Sequence, residues 1–250
     1  MLQILRRRAV TSEPVPAQYH PAFHHQAMLD WESRLHRDLD VTWPCEEAIE
    51  FQSLCPSVTG RVKPLRVGAE RHTNLDMARG LWCILRHLKP QTVVEVGAGF
   101  GVTSRFILEA LTLNRSGHLY SIEPPDADPI LRARTGFAVE PRLAHRWSLI
   151  VDTTKLALPG LLSRLGLVDL FVHDCVSTGN AMRYEIDMAW ASLKPRGALV
   201  FGHIDYSGAF QYFTQSHSGY QALIGETDPD RVFAHDPQPK SQFAVVFKSA

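Results

Sequence analysis

The sequence has no surplus of charge of either sign: 26 Lys and Arg are matched by 26 Asp and Glu, for a formal net charge of zero. A chain that gripped a phosphate backbone would carry a basic excess, so nucleic acid is not expected as its main partner. Long apolar runs are also missing. No stretch reaches the roughly 20 residues that span a bilayer, so no membrane association is expected. The opening MLQILRRRAV places its arginines behind a very short apolar stretch, the reverse of a secretory signal. Cysteine is scarce. Cys45, Cys55, Cys83 and Cys175 stand far apart, without a CxxC or a Cys/His zinc spacing, and read as reduced thiols of a cytoplasmic protein.

What remains is an ordinary globular composition, 45% hydrophobic and 21% charged over 250 residues, enough for one large domain. Residues 1–20, with Arg6, Arg7, Arg8, Pro14 and Pro16, read as a flexible N-terminal arm. Residues 21–71 read as a helical and loop extension. Phe23, Ala27, Leu29, Trp31, Leu35 and Leu39 recur there at helical steps, and Pro44, Pro56 and Pro64 are expected to break the chain into loops. Residues 72–250 form the main domain.

Within that domain Thr73 to Leu88 predicts a helix stopped by Pro90. TVVEV (92–96) is a β-branched run of the kind buried on both faces of a parallel sheet. Strand-like segments at 118–123, 147–151, 168–174 and 198–204 then alternate with helix-like ones at 102–113, 155–165 and 181–193. This alternation predicts an α/β fold, a doubly wound and mostly parallel sheet with helices on both faces. RVFAHD (231–236) and QFAVVFK (242–248) are too close for a crossover helix and predict a C-terminal antiparallel hairpin.

The first sign of a site is the turn Glu95-Val-Gly97-Ala98-Gly99-Phe-Gly101, which leaves a buried strand and enters a helix. Such a turn lets backbone approach a ligand closely. The dinucleotide fingerprint G-x-G-x-x-G would need glycine at position 102, where this chain has Val. An acid beside the turn would repel a pyrophosphate and suit a cationic ligand or an amino group; otherwise Glu95 is a satisfied carboxylate at a helix start. Glu123 ends the next strand, where adjacent strand ends meet at the switch point and an acid can accept both hydroxyl hydrogens of a ribose. Asp152 follows the third strand; it either reaches an adenine amino group or caps the next helix.

Together, VVEVGAGFG, the strand-ending Glu123, Asp152 and VDLFVHD resemble the class I S-adenosylmethionine-dependent methyltransferases over about residues 72–248. The resemblance implies a seven-stranded, Rossmann-like sheet with its last strand antiparallel. It implies that Glu95, Gly97, Ala98, Gly99 and Gly101 hold the methionine portion of S-adenosylmethionine, Glu123 the ribose and Asp152 the adenine, with Asp174 also at the cofactor. VHDCVSTGNAMRYEIDMAW followed by LKPRGALVFGHIDYSGAF is similar, more narrowly, to small-molecule O-methyltransferases acting on sugars and macrolide-type natural products, many of which use a divalent metal.

Methyl transfer to an alcohol needs alignment of acceptor and methyl carbon, and removal of a proton by a base or under the pull of a metal. Asp174 and His203, at the ends of the fourth and fifth strands, are the expected catalytic pair, with His203 as general base. Asp205 would share a face with His203 if the strand ran that far, whereas His173 should point away from Asp174. The metal-using relatives carry two acids where this chain has Gly202 and His203, and usually a His where it has Ser177. Asp174, His203 and Asp205 therefore make a poor octahedral set for Mg²⁺, closer to a softer-metal site or to none.

Tyr206, Phe210, Tyr212, Phe213 and Tyr220 either wall an acceptor pocket or pack on the sheet edge. Trp31 and Trp43 either cover that pocket or bury an interface in a homo-oligomer. The expected function is O-methylation of a small-molecule hydroxyl. The alternatives are a non-catalytic relative that keeps the cofactor pocket as a partner protein and, further off, an NAD-dependent oxidoreductase.

Overall fold

The computed structural model describes residues 30–65, 73–175, 178–205, 208–227 and 241–249. A seven-stranded sheet runs through it in the order β3-β2-β1-β4-β5-β7-β6. Its strands are β1 (Thr92–Val96), β2 (His118–Glu123), β3 (Trp147–Val151), β4 (Val168–His173), β5 (Leu193–Phe201), β6 (Ala222–Glu226) and β7 (Gln242–Phe247). β1 pairs in parallel with β2 on one side and β4 on the other. Strand order therefore reverses between β1 and β4, and a crevice opens at their C-terminal ends.

The helices are α1 (Trp31–Asp38), α2 (Glu46–Val62), α3 (Leu75–Leu88), α4 (Val102–Leu113), the single turn α5 (Pro129–Arg132), α6 (Thr154–Leu165), α7 (Gly179–Ser192) and α8 (Ala209–Ser216). One core lies between the sheet and α1 to α4, around Phe51, Trp82 and Phe106. The other lies under α6, α7 and α8, around Phe171, Phe201, Phe210 and Phe213. α3 starts as its sequence predicts: the Asn74 side chain accepts from the Met77 N–H at 2.9 Å, and Lys89 closes the helix at φ 48°.

Four sequence expectations change. Pro56 does not break the chain but sits inside α2 on its exposed side, because Phe51, Cys55 and Val58 bury the opposite face and offset the lost backbone bond. Trp31 does not cover the crevice but packs edge-on against Phe243, with ring centroids 5.0 Å apart, while Trp43 stands exposed. β7 pairs antiparallel with β5 and with β6, a strand unforeseen in the sequence, and residues 231–236 lie outside the described residues. Gly225 disguises β6, but it is needed there: a Cβ at that position would lie 2.3 Å from the Phe243 ring. Finally, β5 ends at Phe201, so His203 and Asp205 lie beyond the strand.

Phe51 joins the extension to the domain through Phe106 and Trp82, with ring centroids 4.7 and 6.3 Å away. Phe51→Ala should cost about 3–5 kcal/mol in urea denaturation, as removal of a buried aromatic side chain does elsewhere. A loss under about 1 kcal/mol would mean that the two helices add little to the core.

Candidate functional site

The glycine turn leaves β1 and wraps over the ends of β2 and β4. Gly97 adopts φ 96°, and a Cβ there would lie 2.4 Å from the Asp174 carbonyl oxygen, so only glycine lets β1 and β4 close together. The Gly97 N–H donates to the Ile122 carbonyl at 3.0 Å and the Asp174 N–H to the Val96 carbonyl at 2.8 Å. Gly99 has nothing within 4 Å of where its Cβ would be, so its face is open. Its N–H donates to Glu123 Oε2 at 2.9 Å.

A cavity of about 510 Å³ opens above this turn. Gly97, Ala98, Gly99, Glu123, Asp174 and His203 line it as expected, joined by Thr73, Phe100, Val102, Thr103, Pro124, Asp126, Thr154, Cys175, Ala181 and Glu185. Its size is ordinary for a small-molecule site. Its charge leans negative: Glu123, Asp126 and Asp174 contribute carboxyl groups, Glu185 adds one that is paired with His173, and no Lys or Arg occurs among its described lining residues.

Glu95 occupies a different place from the one its motif implies. It is fully buried beneath the turn, and Ser104 of α4 and Ser121 of β2 both donate to its Oε2 at 2.6 Å. Burial pushes its carboxyl up to about 8 against the pull of the two serines, and the charges of Asp174 and Glu123 add to the rise. It is thus mostly protonated near neutral pH and does not line the cavity. The negative potential a ligand meets comes from the other acids. Asp152 is also absent from the wall; its Oδ1 accepts from the Thr153 N–H at 2.7 Å. Gly101 stands one residue from the cavity, at φ 83°, where a Cβ would lie 2.8 Å from the Gly136 Cα.

Asp174 and His203 do meet. Thr103 donates to Asp174 Oδ2 at 2.6 Å, and Asp174 Oδ1 lies 3.7 Å from His203 Nε2. His203 holds φ 54°, an uncommon conformation for a side-chain-bearing residue, and Gly202 before it leaves room for Asp174: a Cβ there would lie 2.9 Å from Asp174 Oδ1. Asp205 turns away and accepts from the Gln242 N–H at 3.2 Å, with its carboxyl raised by burial. The set Asp174, His203 and Asp205 is therefore not assembled. Two donors, one of them already engaged by Thr103, do not make an octahedral Mg²⁺ site. Ser177 and Tyr206 lie outside the described residues.

His173 points to the opposite side of β4 from Asp174, as the strand period requires. It is buried, with Nε2 2.8 Å from Glu185 Oε2 and 3.6 Å from Cys175 Sγ. Burial lowers its proton affinity, but the sulfur of Cys175 and the Glu185 carboxylate outweigh it and raise the group to about 10. Thr154 donates to the other Glu185 oxygen. Sequence inspection passed over Glu185 and Thr154. The spacing of Ala181 and Glu185 on one face of α7, behind a Thr178 N-cap, was the available signal. Of the aromatic segment, Phe210 and Phe213 pack under α8 against Phe201, while Tyr212 is stacked by Arg183 at 3.5 Å.

Residues 94–204 match a family model described as a methyltransferase domain. No match was found among curated proteins. Several solved structures share the fold. TomG, an O-methyltransferase of Streptomyces achromogenes involved in tomaymycin synthesis and crystallised with S-adenosylmethionine, superposes with a TM-score of 0.58 at 15% identity, covering 89% of this chain and 99% of its own. A putative O-methyltransferase from Klebsiella pneumoniae gives 0.55 at 13% identity, over 89% and 99%. The O-methyltransferase of Bacillus cereus in complex with S-adenosylhomocysteine gives 0.52 at 13%, over 88% and 99%. Residues 94–204 thus resemble a methyltransferase domain, and the chain has the Rossmann-like fold of these S-adenosylmethionine-binding O-methyltransferases. Within that class it resembles the small-molecule O-methyltransferases.

The protonated Glu95 has a consequence for stability. Its carboxyl is raised from 4.5 to about 8, so between those values the folded chain keeps a proton that the unfolded chain has released. This contribution to stability is complete below pH 4.5 and is lost as pH rises to about 8, at a limiting slope of about 1.4 kcal/mol per pH unit. Glu95→Gln should flatten the stability–pH curve across that window in urea denaturation. An unchanged slope would show that the carboxyl is already ionised in the folded protein.

Proposed function

We propose that this methyltransferase moves a methyl group from S-adenosylmethionine to a hydroxyl of a small molecule, a sugar or another natural product, with His203 as general base and without a metal. The carrying observation is the charge of the cavity: four carboxyl side chains and no Lys or Arg among its described lining residues. Such a wall favours a sulfonium and an ammonium and opposes a pyrophosphate. The Gly99 N–H supports the same reading, because it is held by Glu123 and not offered to a phosphate. With Val102 in place of the third fingerprint glycine, a nicotinamide dinucleotide is disfavoured twice.

In this reading Glu123 receives the ribose hydroxyls beside the open face of Gly99, and Asp174 borders the methionine end. When bound, S-adenosylmethionine supplies an electrophilic methyl group for in-line displacement. The chain's part is to place the acceptor oxygen and take its proton. His203 Nε2 accepts that proton within 3.7 Å of Asp174 Oδ1. Thr103 holds the other oxygen of Asp174, so the carboxylate is aimed at the imidazolium that forms. The acceptor enters on the His203 side. The four cysteines, unbridged, accord with work in a reducing cytoplasm.

Calorimetry with S-adenosylmethionine, S-adenosylhomocysteine and NAD should show heat with the first two only. Glu123→Ala should weaken S-adenosylmethionine by about 10- to 100-fold, the loss of hydrogen bonds to a charged group. Across a panel of labelled-methyl assays with sugars and phenols, His203→Ala should lower transfer by about 10²–10⁴ while leaving cofactor affinity intact. Equal rates for wild type and His203→Ala would remove the base. Cofactor binding without transfer to any hydroxyl compound would turn the reading to a non-catalytic binding protein.

A further inference from the structure

A second cluster of chemistry-bearing side chains lies away from the cavity, where the N-terminal helices meet α3. Cys45, at the N-cap of α2, is its centre. Its Sγ lies 3.1 Å from His36 Nε2 and 3.7 Å from Cys83 Sγ, and these three residues are buried. His87, one helical turn beyond Cys83 on the same face of α3, brings a ring nitrogen within 4.8 Å of Cys45 Sγ and of a Glu47 carboxylate oxygen. Its Nε2 is shielded from solvent and makes no hydrogen bond; it lies 3.3 Å from Glu47 Oε2.

Each feature suits metal ligation. The His36 Nδ1–H donates to the Glu32 carbonyl at 2.7 Å, which fixes the tautomer and leaves the Nε2 lone pair aimed at the sulfurs. Histidine ligands of zinc are oriented by such a bond. Two thiolates on a tetrahedral Zn²⁺, each about 2.3 Å from the metal, stand about 3.8 Å apart; the two sulfurs here are at 3.7 Å. This is far too long for a disulfide, whose sulfurs stand about 2.05 Å apart. Two thiolates and two neutral imidazoles would leave Zn²⁺ electrically balanced, the condition for burying an ion.

We propose that His36, Cys45, Cys83 and His87 form a closed tetrahedral Zn²⁺ site that clamps the segment between α1 and α2 to α3. With all four positions filled by protein, the ion is structural and takes no part in methyl transfer. The four residues come from two segments far apart in sequence, so their spacing matches no local zinc pattern.

The test uses the full chain, purified under reductant and stripped with a chelator. Titration with Co²⁺ should saturate at one equivalent with a thiolate-to-cobalt charge-transfer band, and Zn²⁺ should displace it and raise the melting temperature. His87→Ala, at a half-buried position, and Cys83→Ser should each weaken Co²⁺ by more than about 100-fold, beyond the cost of losing a supporting partner of a ligand. Cys55→Ser, whose thiol is buried elsewhere on α2, should bind as wild type. Far-ultraviolet circular dichroism checks that each variant is folded. Absence of the band in wild type overturns the site, as does its survival in folded Cys83→Ser, wild-type affinity in His87→Ala, or a Cys45–Cys83 disulfide in the reduced preparation.

Discussion

A single uncharged carboxyl group under the glycine turn ties together the parts that make the cavity. Glu95 sits on the central strand β1, Ser121 on its neighbour β2 and Ser104 on the first turn of α4, and both serines donate to the same oxygen at 2.6 Å. Burying an ionised carboxylate there would cost several kcal/mol, so the group stays protonated. With strand, neighbour and helix locked at one point, the turn between them has little freedom. It holds Gly97 against the backbone of Asp174 and leaves Gly99 open to the cavity.

The division of labour among the acids follows from where each stands relative to that anchor. Glu95 supports the turn from below, while Glu123, Asp126, Asp174 and Glu185 line the cavity. Pairing also differs among them. Glu123 is drawn to the Gly99 N–H, Asp174 to Thr103 and Glu185 to His173 and Thr154. Each is therefore held in one orientation, which would preorganise the site for the cationic cofactor proposed above. The end of β5 completes it. Gly202 spares the room that Asp174 needs, and the left-handed turn at His203 aims the imidazole back over the strand ends. Two acids at these positions would crowd Asp174, and the base proposed above is a histidine instead.

Much of this was legible in the chain. The β-branched run 92–96, the glycine turn, Glu123 and Asp174 were all placed correctly, because each belongs to a segment whose local pattern sets its conformation. Three placements were not legible. Glu95 looks like a ligand-facing acid, yet which side of a two-sided buried strand meets solvent depends on the helix that covers it. Asp205 follows the strand period only on paper, since β5 stops at Phe201 and the chain then turns. Cys45, Cys83, His36 and His87 look unrelated, and only the docking of α1 and α2 on α3 brings the other three within reach of Cys45.

Local chemistry, then, was settled by the order of residues alone: strand and helix alternation, the Gly-rich turn, the missing glycine at 102 and the acids at strand ends. These rest on backbone sterics and hydrophobic period, which act within a few residues. Tertiary structure decided which acids carry charge into the cavity, that His203 rather than Asp205 accompanies Asp174, that β6 fills the sheet edge beside β7, and which cysteines share a neighbourhood. Those outcomes depend on burial and on distances between segments far apart in sequence, and neither quantity exists until the two cores have closed on the sheet.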